Sequence, residues 1–448
     1  MLYFEMQNVR VFEENTLFEM TPNRMQTKFK EMYLKKRYAN KELDVLPFSV
    51  IYGANASGKS TIIKAMALLR EIVLSGKIYS DNSNSLLYNI GLFPFLHDYN
   101  NFVKPMKLSI GFIFNEIKYE YSIVMQFSMP NTEYYVERKI IEEVLYVNDK
   151  EKFYRNTKEI IIDGREKKVI GENEAINGEE LYLYGSFKSN IETNKYYQDI
   201  QNWFRLDFII IPDVNTLKIN IEGPVIPHGT SINIRNEIID AALKTADFGP
   251  QTLFYKVSNG DNGNAGFQMR SLYEVKDYIG KAIETNAKNT ESNGTLKLVD
   301  VSMCIIMALS RGSTVVIDEL DSSFHVALIK ELLNLFTNKK INSKGAQLIF
   351  SSHNLTFMNL TSIRKDQIYF VEKDQAAHTS SLYSLTDFKT NSETDVRNGE
   401  RYIKNYLEGK YGAFPTFNLE EAITNYLTKF KKNNVMQTTG EENGEKIN

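Results

Sequence analysis

The residues most able to do chemistry form one segment, GANASGKS, at positions 53–60, which matches the pattern G-x-x-x-x-G-K-[ST] in full. In this pattern the glycines let backbone N–H groups curl around phosphate oxygens, the lysine reaches the β- and γ-phosphates, and the final hydroxyl ligates Mg²⁺. We therefore predict a nucleotide site with Ser60 as a Mg²⁺ ligand. Its predicted binding residues are Gly53, Asn55, Ala56, Ser57, Gly58, Lys59, Ser60 and Thr61.

The elements around this segment suit a phosphate-binding loop. An apolar run of strand length, Pro47–Tyr52, precedes it, and apolar residues follow at helical spacing from Thr61 to Ser75. The positive N-terminal end of that helix points at the bound phosphates. A chance match in a surface loop would lack this strand and helix, so the context favours nucleotide binding.

A second candidate site is the acidic pair Asp318 and Glu319, which follows the β-branched run Thr314–Ile317. At a strand end beside a phosphate loop, Asp318 is expected to hold the Mg²⁺ shell through water. Glu319 is expected to orient and deprotonate the attacking water. The alternative is an ordinary strand end with solvated carboxylates, and a complete phosphate loop in the same chain favours the catalytic role.

His353 follows another apolar run, Gln347–Phe350, which predicts a strand parallel to the strand that carries Asp318. A lone histidine is more often structural. At the end of a strand in this sheet, however, His353 is expected to contact the γ-phosphate and act in catalysis.

Ser292, Gly294 and Thr295 precede a predicted apolar helix, Leu296–Leu309. Hydroxyl and N–H donors at a helix N-terminus suit an anion, and here the predicted ligand is a nucleotide phosphate. Simple capping of the helix is the alternative.

The length of 448 residues allows two or three domains at roughly 100–200 residues each. Alternating runs at 107–114 and 118–127 predict a hairpin of an antiparallel sheet. Further expectations are a helix at 194–205, a helix at 232–245 and a loop at 259–264. The predicted organisation is an N-terminal lobe at 1–145, an insertion at 146–290, a C-terminal lobe at 291–430 and a disordered tail at 431–448.

Composition excludes several classes of protein. Hydrophobic residues make up 42% and charged residues 24%, which excludes wholesale disorder. The net charge of −3 excludes a uniformly basic coat for nucleic acid. A single cysteine, Cys304, excludes a disulfide framework and suits a reducing compartment. The apolar runs are shorter than the ~20 residues of a membrane span, and the first residues lack a secretion signal, so we expect a cytoplasmic protein without membrane contact.

In chain order, these motifs resemble those of ABC-class ATPase heads, the group that includes SMC, RecF and OLD-type proteins. More narrowly, the chain is similar to stand-alone AAA-type ATPases of abortive infection, such as the PARIS (AriA) and RloA-like ATPases. The resemblance covers about 1–150 and 285–420. It rests on IYGANASGKS (51–60), ESNGT (291–295), IDELDSSFH (317–325), SHN (352–354), DQIYFVEK (366–373) and YLEGKYGAFP (406–415).

The resemblance implies an α/β fold: an ABC-type head with a mixed central sheet, an antiparallel β-subdomain and a mixed α/β insertion. It also implies an ATPase that uses ATP and Mg²⁺ and forms a homo-oligomer of heads. Ser292, Gly294 and Thr295 of one protomer would then cap the γ-phosphate held by Lys59 of another. The resemblance further implies two partners. One is a separate effector protein, namely a nuclease encoded nearby, and the other is a phage protein that acts as the trigger. DNA binding stays open.

The alternatives to this function are an ATPase of DNA repair, the soluble ATPase of a transporter and a self-contained nuclease. A RecF- or SMC-like ATPase of DNA repair shares the motifs, but the chain lacks the sustained heptads of long SMC arms. The long middle region and the segment 366–415 do not resemble the ATPase of a transporter. A self-contained nuclease of OLD type would need a nuclease domain after the head, and only some 30 residues follow Pro415.

Overall fold

The computed structural model describes most of the chain in two compact units, Met1–Ala413 and Phe414–Asn448. Within the second unit, residues 423–428 are helical. The predicted tail at 431–448 and residues 260–264 of the predicted loop lie outside the described residues. The segments left undescribed are 27–28, 81–84, 86, 88–92, 96, 99–102, 129–136, 164–165, 170–177, 185–194, 213–230, 236–251, 260–264, 276–280, 323, 360–362, 389–401, 415–419, 421–422 and 429–448.

A six-stranded sheet forms the centre of the first unit. Its strands are rich in Val, Ile and Phe and are mostly buried, as expected for parallel strands covered on both faces. The strands pair in parallel except for the last, which is antiparallel. In spatial order they are β12 (Phe208–Ile211), β17 (Thr314–Ile317), β18 (Gln347–Ser351), β5 (Phe48–Gly53), β19 (Ile368–Lys373) and β20 (Ser380–Ser384).

An antiparallel sheet of eight strands lies beside the central sheet in the chain's N-terminal half. Its central hairpin turns through Asn115 and Glu116, whose φ angles of 50° and 60° fit a two-residue turn that matches the twist of the strands. The spatial order is β11 (Glu166–Val169), β10 (Glu159–Ile162), β9 (Lys150–Asn156), β8 (Arg138–Val147), β7 (Ile117–Phe127), β6 (Met106–Phe114), β1 (Tyr3–Gln7) and β2 (Thr16–Glu19).

The described elements also include two smaller antiparallel sheets and several α-helices. The two-stranded sheet is β3 (Leu34–Tyr38) with β4 (Lys41–Val45). The four-stranded sheet is β13 (Ser231–Arg235), β14 (Thr252–Asn259), β15 (Ala265–Glu274) and β16 (Ala282–Asn286). The α-helices of the first unit include α1 (Lys59–Ser75), α2 (Lys195–Asn202), α3 (Ala287–Thr290), α4 (Asn293–Arg311), α5 (Val326–Thr337) and α6 (Tyr402–Leu407). None of the helices in the described part of the chain is long and apolar enough to cross a membrane.

The central sheet separates two hydrophobic cores. One face, with Ile51, Val316 and Ile349, packs with α1 and the eight-stranded sheet. The other face, with Val50 and Phe350 among others, packs with α4 and α5. Adjacent residues of one strand therefore pack into different cores, because successive side chains point to opposite faces of the sheet. This packing holds the C-terminal ends of the parallel strands at one edge.

The structure confirms the expected α/β fold with a mixed central sheet and an antiparallel β-subdomain. The predicted helix at 232–245 is wrong over residues 232–235, which form strand β13, and residues 236–245 lie outside the described chain. The division into lobes stays a prediction. Its boundary at 145 falls within β8, whose sheet continues through β9 to β11.

Candidate functional site

The phosphate-loop motif lies between the end of β5 and the start of α1. The Lys59 ammonium donates hydrogen bonds across the loop to the carbonyl oxygens of Gly53, at 2.8 Å, and Ala54, at 3.0 Å. Burial lowers the pKa of Lys59, while the carboxylates of Asp318, Glu319 and Asp321 oppose this shift. The lysine thus lies within the electrostatic reach of the acidic strand end.

The two motif glycines occupy positions where the chain approaches other backbone or rings too closely for a side chain. A Cβ at Gly53 would lie 2.5 Å from the carbonyl oxygen of Val371 in β19. A Cβ at Gly58, whose φ is 122°, would lie 2.8 Å from the ring of Phe12. The loop is therefore enclosed by the β19 strand on one side and by the turn after β1 on the other.

The remaining loop residues differ in exposure. Asn55 and Ala56 are exposed, and Ala56 adopts a left-handed φ of 60°. Ser57 is buried, and its carbonyl oxygen accepts a hydrogen bond of 2.6 Å from the Ser380 hydroxyl. Ser60 is half-buried, whereas Thr61 is buried and its N–H donates to the Gly58 carbonyl at 2.9 Å. The exposed residues form the part of the loop open to a ligand.

Asp318 and Glu319 follow β17, two strands away from β5, and are tied together by Ser351 at the end of β18. The Ser351 hydroxyl accepts a hydrogen bond of 2.7 Å from the Glu319 N–H and donates one of 2.5 Å to the Asp318 carboxylate. Asp318 is buried, whereas Glu319 is exposed and has a φ of 49°. One hydroxyl thus holds a buried carboxylate while the next residue turns toward solvent.

His353 lies just beyond β18, and its side chain is exposed. Its backbone N–H donates a hydrogen bond of 3.1 Å to Oδ2 of Asp321. The other carboxylate oxygen of Asp321 is buried without a hydrogen-bond partner among the described residues. The contact joins the segments that follow β17 and β18 at the edge where Glu319 lies.

Ser292 caps α4, as the capping alternative expects. Its hydroxyl accepts a hydrogen bond of 3.1 Å from the Thr295 N–H and lies 2.9 Å from the Thr295 hydroxyl. Ser292 is exposed, Gly294 is half-buried and Thr295 is buried. The capping bond orders the helix terminus, and the capping residue Ser292 itself lies at the surface.

The residues present fit Mg²⁺ bound together with a nucleotide. Mg²⁺ prefers oxygen donors and usually takes only one or two carboxylates besides phosphates and water. Ser60 offers a hydroxyl and Asp318 a carboxylate with one oxygen beyond the Ser351 bond. No cluster of three or more His, Cys, Asp or Glu suited to a metal occurs among the residues that the structure describes.

Sequence reasoning missed three groups at this site. The sequence pattern does not single out Ser351. The only local signal is that this serine directly follows the apolar run Gln347–Phe350. Ser380 and Phe12 lie far from the motif in sequence, and no local pattern connects them to it. Their contacts with Ser57 and Gly58 arise from tertiary packing alone.

Together, the parallel sheet, the loop before α1 and the acidic strand end define a P-loop nucleotide-binding protein. The chain matches the family described as "AAA domain, putative AbiEii toxin, Type IV TA system" over residues 48–204 and 216–359. This match covers more than half of its length, and the chain belongs to this family.

Two solved structures are similar to the chain at low identity. One is described as the SmcHead bound to the C-winged helix domain of ScpA, with 11% identity, a TM-score of 0.40, and coverage of 90% of this chain and 98% of that one. The other is the SMC head domain from Thermotoga maritima, with 13% identity, a TM-score of 0.34, and coverage of 86% and 98%. Among curated proteins, no match was found.

Proposed function

We propose that the chain is an ATPase that binds ATP with Mg²⁺ and hydrolyses it to ADP and phosphate. The observation that carries this proposal is the Ser351 bridge, which fixes Asp318 and Glu319 at the same sheet edge as Lys59. Family membership supports nucleotide binding. A phosphate-loop lysine, a buried Mg²⁺-type carboxylate and an exposed second carboxylate are the groups that phosphoryl transfer to water requires.

Each residue has a distinct role in this proposal. Lys59 neutralises the β- and γ-phosphates, and leaves its two loop carbonyls to do so. Ser60 and Asp318 hold Mg²⁺, which supplies charge neutralisation when bound. Glu319 orients the attacking water and takes its proton. His353 contacts the γ-phosphate from the end of β18.

We further propose an ABC-like arrangement in which two heads share each nucleotide. Ser292, Gly294 and Thr295 then cap the γ-phosphate bound by the opposite protomer. The exposed Ser292 at the N-terminus of a 19-residue helix supports this role, because such a terminus stabilises an anion. Hydrolysis removes that phosphate and the attraction with it, so the interface responds to the state of the nucleotide.

The biological role that we propose is the sensor subunit of a prokaryotic anti-phage system. The family description, which names a putative AbiEii toxin, and the resemblance to abortive-infection ATPases support it. In this role, ATP-dependent assembly controls a separate effector, a nuclease, and a phage protein is the trigger. The test is plaque formation on cells that carry the chain with its neighbouring gene, and equal protection by wild type and Lys59→Ala would contradict the role.

The enzymatic proposal is tested by two substitutions with a matched control. Lys59→Ala removes the phosphate counter-charge, so ATP affinity measured by calorimetry should fall severely. Glu319→Gln keeps binding but removes the base, so turnover should fall on the order of 10²-fold or more. Glu331→Gln, at an exposed position on α5, makes the same change away from the site and should leave turnover unaltered. Wild-type turnover in Glu319→Gln would exclude Glu319 as the base.

A further inference from the structure

Two histidines from distant segments stack beside the phosphate loop. The rings of His97 and His378 have centroids 4.6 Å apart and planes 23° apart, and Phe95 meets His97 edge-on at 5.7 Å. Both histidines are exposed, so this stack is not part of the hydrophobic core. Within the described part of the chain, His378 stacks on no second ring, and its side chain is exposed to solvent.

The turn that carries His378 is tied directly to the phosphate loop. It joins β19 to β20, and Val371 of β19 lies against Gly53 at the start of the loop. Two residues after His378, the Ser380 hydroxyl donates its hydrogen bond to the Ser57 carbonyl. The turn therefore projects from the C-terminal edge of the central sheet, where ligands of parallel sheets bind.

The segment that carries His97 is tied to the other side of the loop. The Phe95 N–H donates a hydrogen bond of 3.0 Å to the Asn8 side chain, and the Arg10 N–H donates one of 2.8 Å to the Phe93 carbonyl. The turn that contains Asn8 and Arg10 continues into Phe12, whose ring lies against Gly58. His378 thus lies in the turn that follows one enclosing strand, β19, and His97 lies in a segment hydrogen-bonded to the other enclosing turn, the turn after β1.

We propose that the His97–His378 pair is the platform on which the base of the nucleotide stacks. This inference rests on the proposed nucleotide site: with the triphosphate on the loop, ribose and base extend toward the flanking segments. A planar purine can stack on the exposed ring of His378, as bases stack on aromatic side chains elsewhere. His378 also has a left-handed φ of 57°, and such conformations concentrate at ligand-binding sites.

The alternative is that the stack only fastens one loop to the other. In that case its loss affects triphosphate and base alike, because the loop itself shifts. A base platform, in contrast, acts only on ligands that carry a base. Inorganic tripolyphosphate has no base, so comparing it with ATP separates the two explanations.

The experiment measures Kd for ATP and for inorganic tripolyphosphate, each with Mg²⁺, by calorimetry. His378→Asn keeps a residue that tolerates positive φ but removes the ring. It should lower the ratio of tripolyphosphate Kd to ATP Kd by about 5- to 150-fold, the scale of losing one stacked base. Gln375→Ala, exposed in the same turn, should leave the ratio unchanged.

An unchanged ratio in His378→Asn overturns the proposal, whether both affinities stay the same or both fall together. His97→Ala provides a second, independent test with the same expected direction. Lys59→Ala should weaken both ligands, and if it weakens neither, the phosphate-loop function itself fails. The two failures are therefore distinguishable.

Discussion

At the scale of single residues, Ser351 is the group on which the acidic strand end depends. Ser351 is fully buried, and its hydroxyl donates a hydrogen bond to Asp318 and accepts one from the N–H of Glu319, the two residues that follow β17. Without it, the carboxylate of Asp318 and the N–H of Glu319 lose their described partner. The left-handed backbone at Glu319 would also lose the bond that holds it.

Ser351→Ala is expected to destabilise the protein by about 1–3 kcal/mol, because it leaves buried polar groups without their hydrogen-bond partner. The measurement is urea denaturation. Ser49→Ala is the matched control, since Ser49 is equally buried in the adjacent strand but its hydroxyl has no described hydrogen-bond partner. Ser351→Ala should also slow ATP turnover, whereas Ser49→Ala should not. Equal losses of stability in the two variants would contradict the bridging role.

Cys304 is expected to be unreactive in the folded protein. Burial, assisted by the nearby Asp300 carboxylate, raises the pKa of its thiol to about 12, so almost no thiolate is present at pH 8. Its labelling by iodoacetamide at pH 8 should be far slower than that of the same protein unfolded in urea. Comparable rates in the two states would show that the face of α4 bearing Cys304 opens readily.

At the scale of elements, the four-stranded sheet is attached to α4, the helix that begins at Ser292. Leu253 and Met269 of the sheet pack with Val299 of the helix. The Tyr255 hydroxyl donates a hydrogen bond to Oδ1 of Asp300. Burial raises the pKa of Asp300, and this hydrogen bond opposes the shift by stabilising the charged form. The sheet and the helix are therefore joined by both apolar and polar contacts.

Tyr255→Phe should loosen this attachment, because it leaves the Asp300 carboxylate without that donor. We expect faster amide exchange in α4 and β14, measured by hydrogen–deuterium exchange mass spectrometry. Tyr154→Phe is the control: it removes a longer tyrosine–carboxylate bond, 3.5 Å to Glu142, within the eight-stranded sheet. Unchanged exchange in α4 would show that the apolar contacts alone hold the sheet.

Elements whose pattern is local were predictable from the sequence. The hairpin around Asn115 has alternating strands, and α1 follows an apolar stripe, although it begins at Lys59 rather than Thr61. Lys59 and Asp318 were recognisable because residue type and spacing are part of their chemistry. Their roles in hydrolysis stay predictions.

Long-range pairing was not predictable in the same way. Phe208–Ile211 lies within the region assigned to an insertion, yet it forms edge strand β12 beside β17. Its apolar run indicates a strand, but periodicity does not identify the partner of a strand. The helix expected at 232–245 failed at β13 for a related reason. The pairing of β13 with β14 outweighs the local preference of a short segment.

At the scale of the whole molecule, the proposed composite site requires two chains. Lys59 lies at the start of α1, whereas Ser292 lies at the start of α4 and already caps its own helix. A substitution of Lys59 can therefore be placed in one chain and a substitution of Ser292 in the other. A site completed by a partner can be rescued by mixing, and a self-contained site cannot.

Ser292→Arg is expected to bind ATP but not hydrolyse it, because bulk and charge at the helix start block closure against the partner. Mixing it with Lys59→Ala should restore partial ATPase activity, since each mixed dimer then has one complete site. The measurement is steady-state ATPase activity against mixing ratio. Melting temperature serves as the control, because loss of the cap alone costs about 0.5–2 kcal/mol. No rescue, with subunit exchange shown independently, would remove the case for a composite site.

The enclosure of the phosphate loop by β19 also has a consequence during synthesis on the ribosome. Val371, which lies against Gly53, is made 312 residues after Lys59 (371 − 59), and Asp318 is made 259 residues after it (318 − 59). At about 5–20 residues per second, Val371 follows Lys59 by roughly 16–60 s. During this time the nascent chain carries the motif without the strand that encloses it, so translation itself delays the moment at which the protein can first hold a nucleotide.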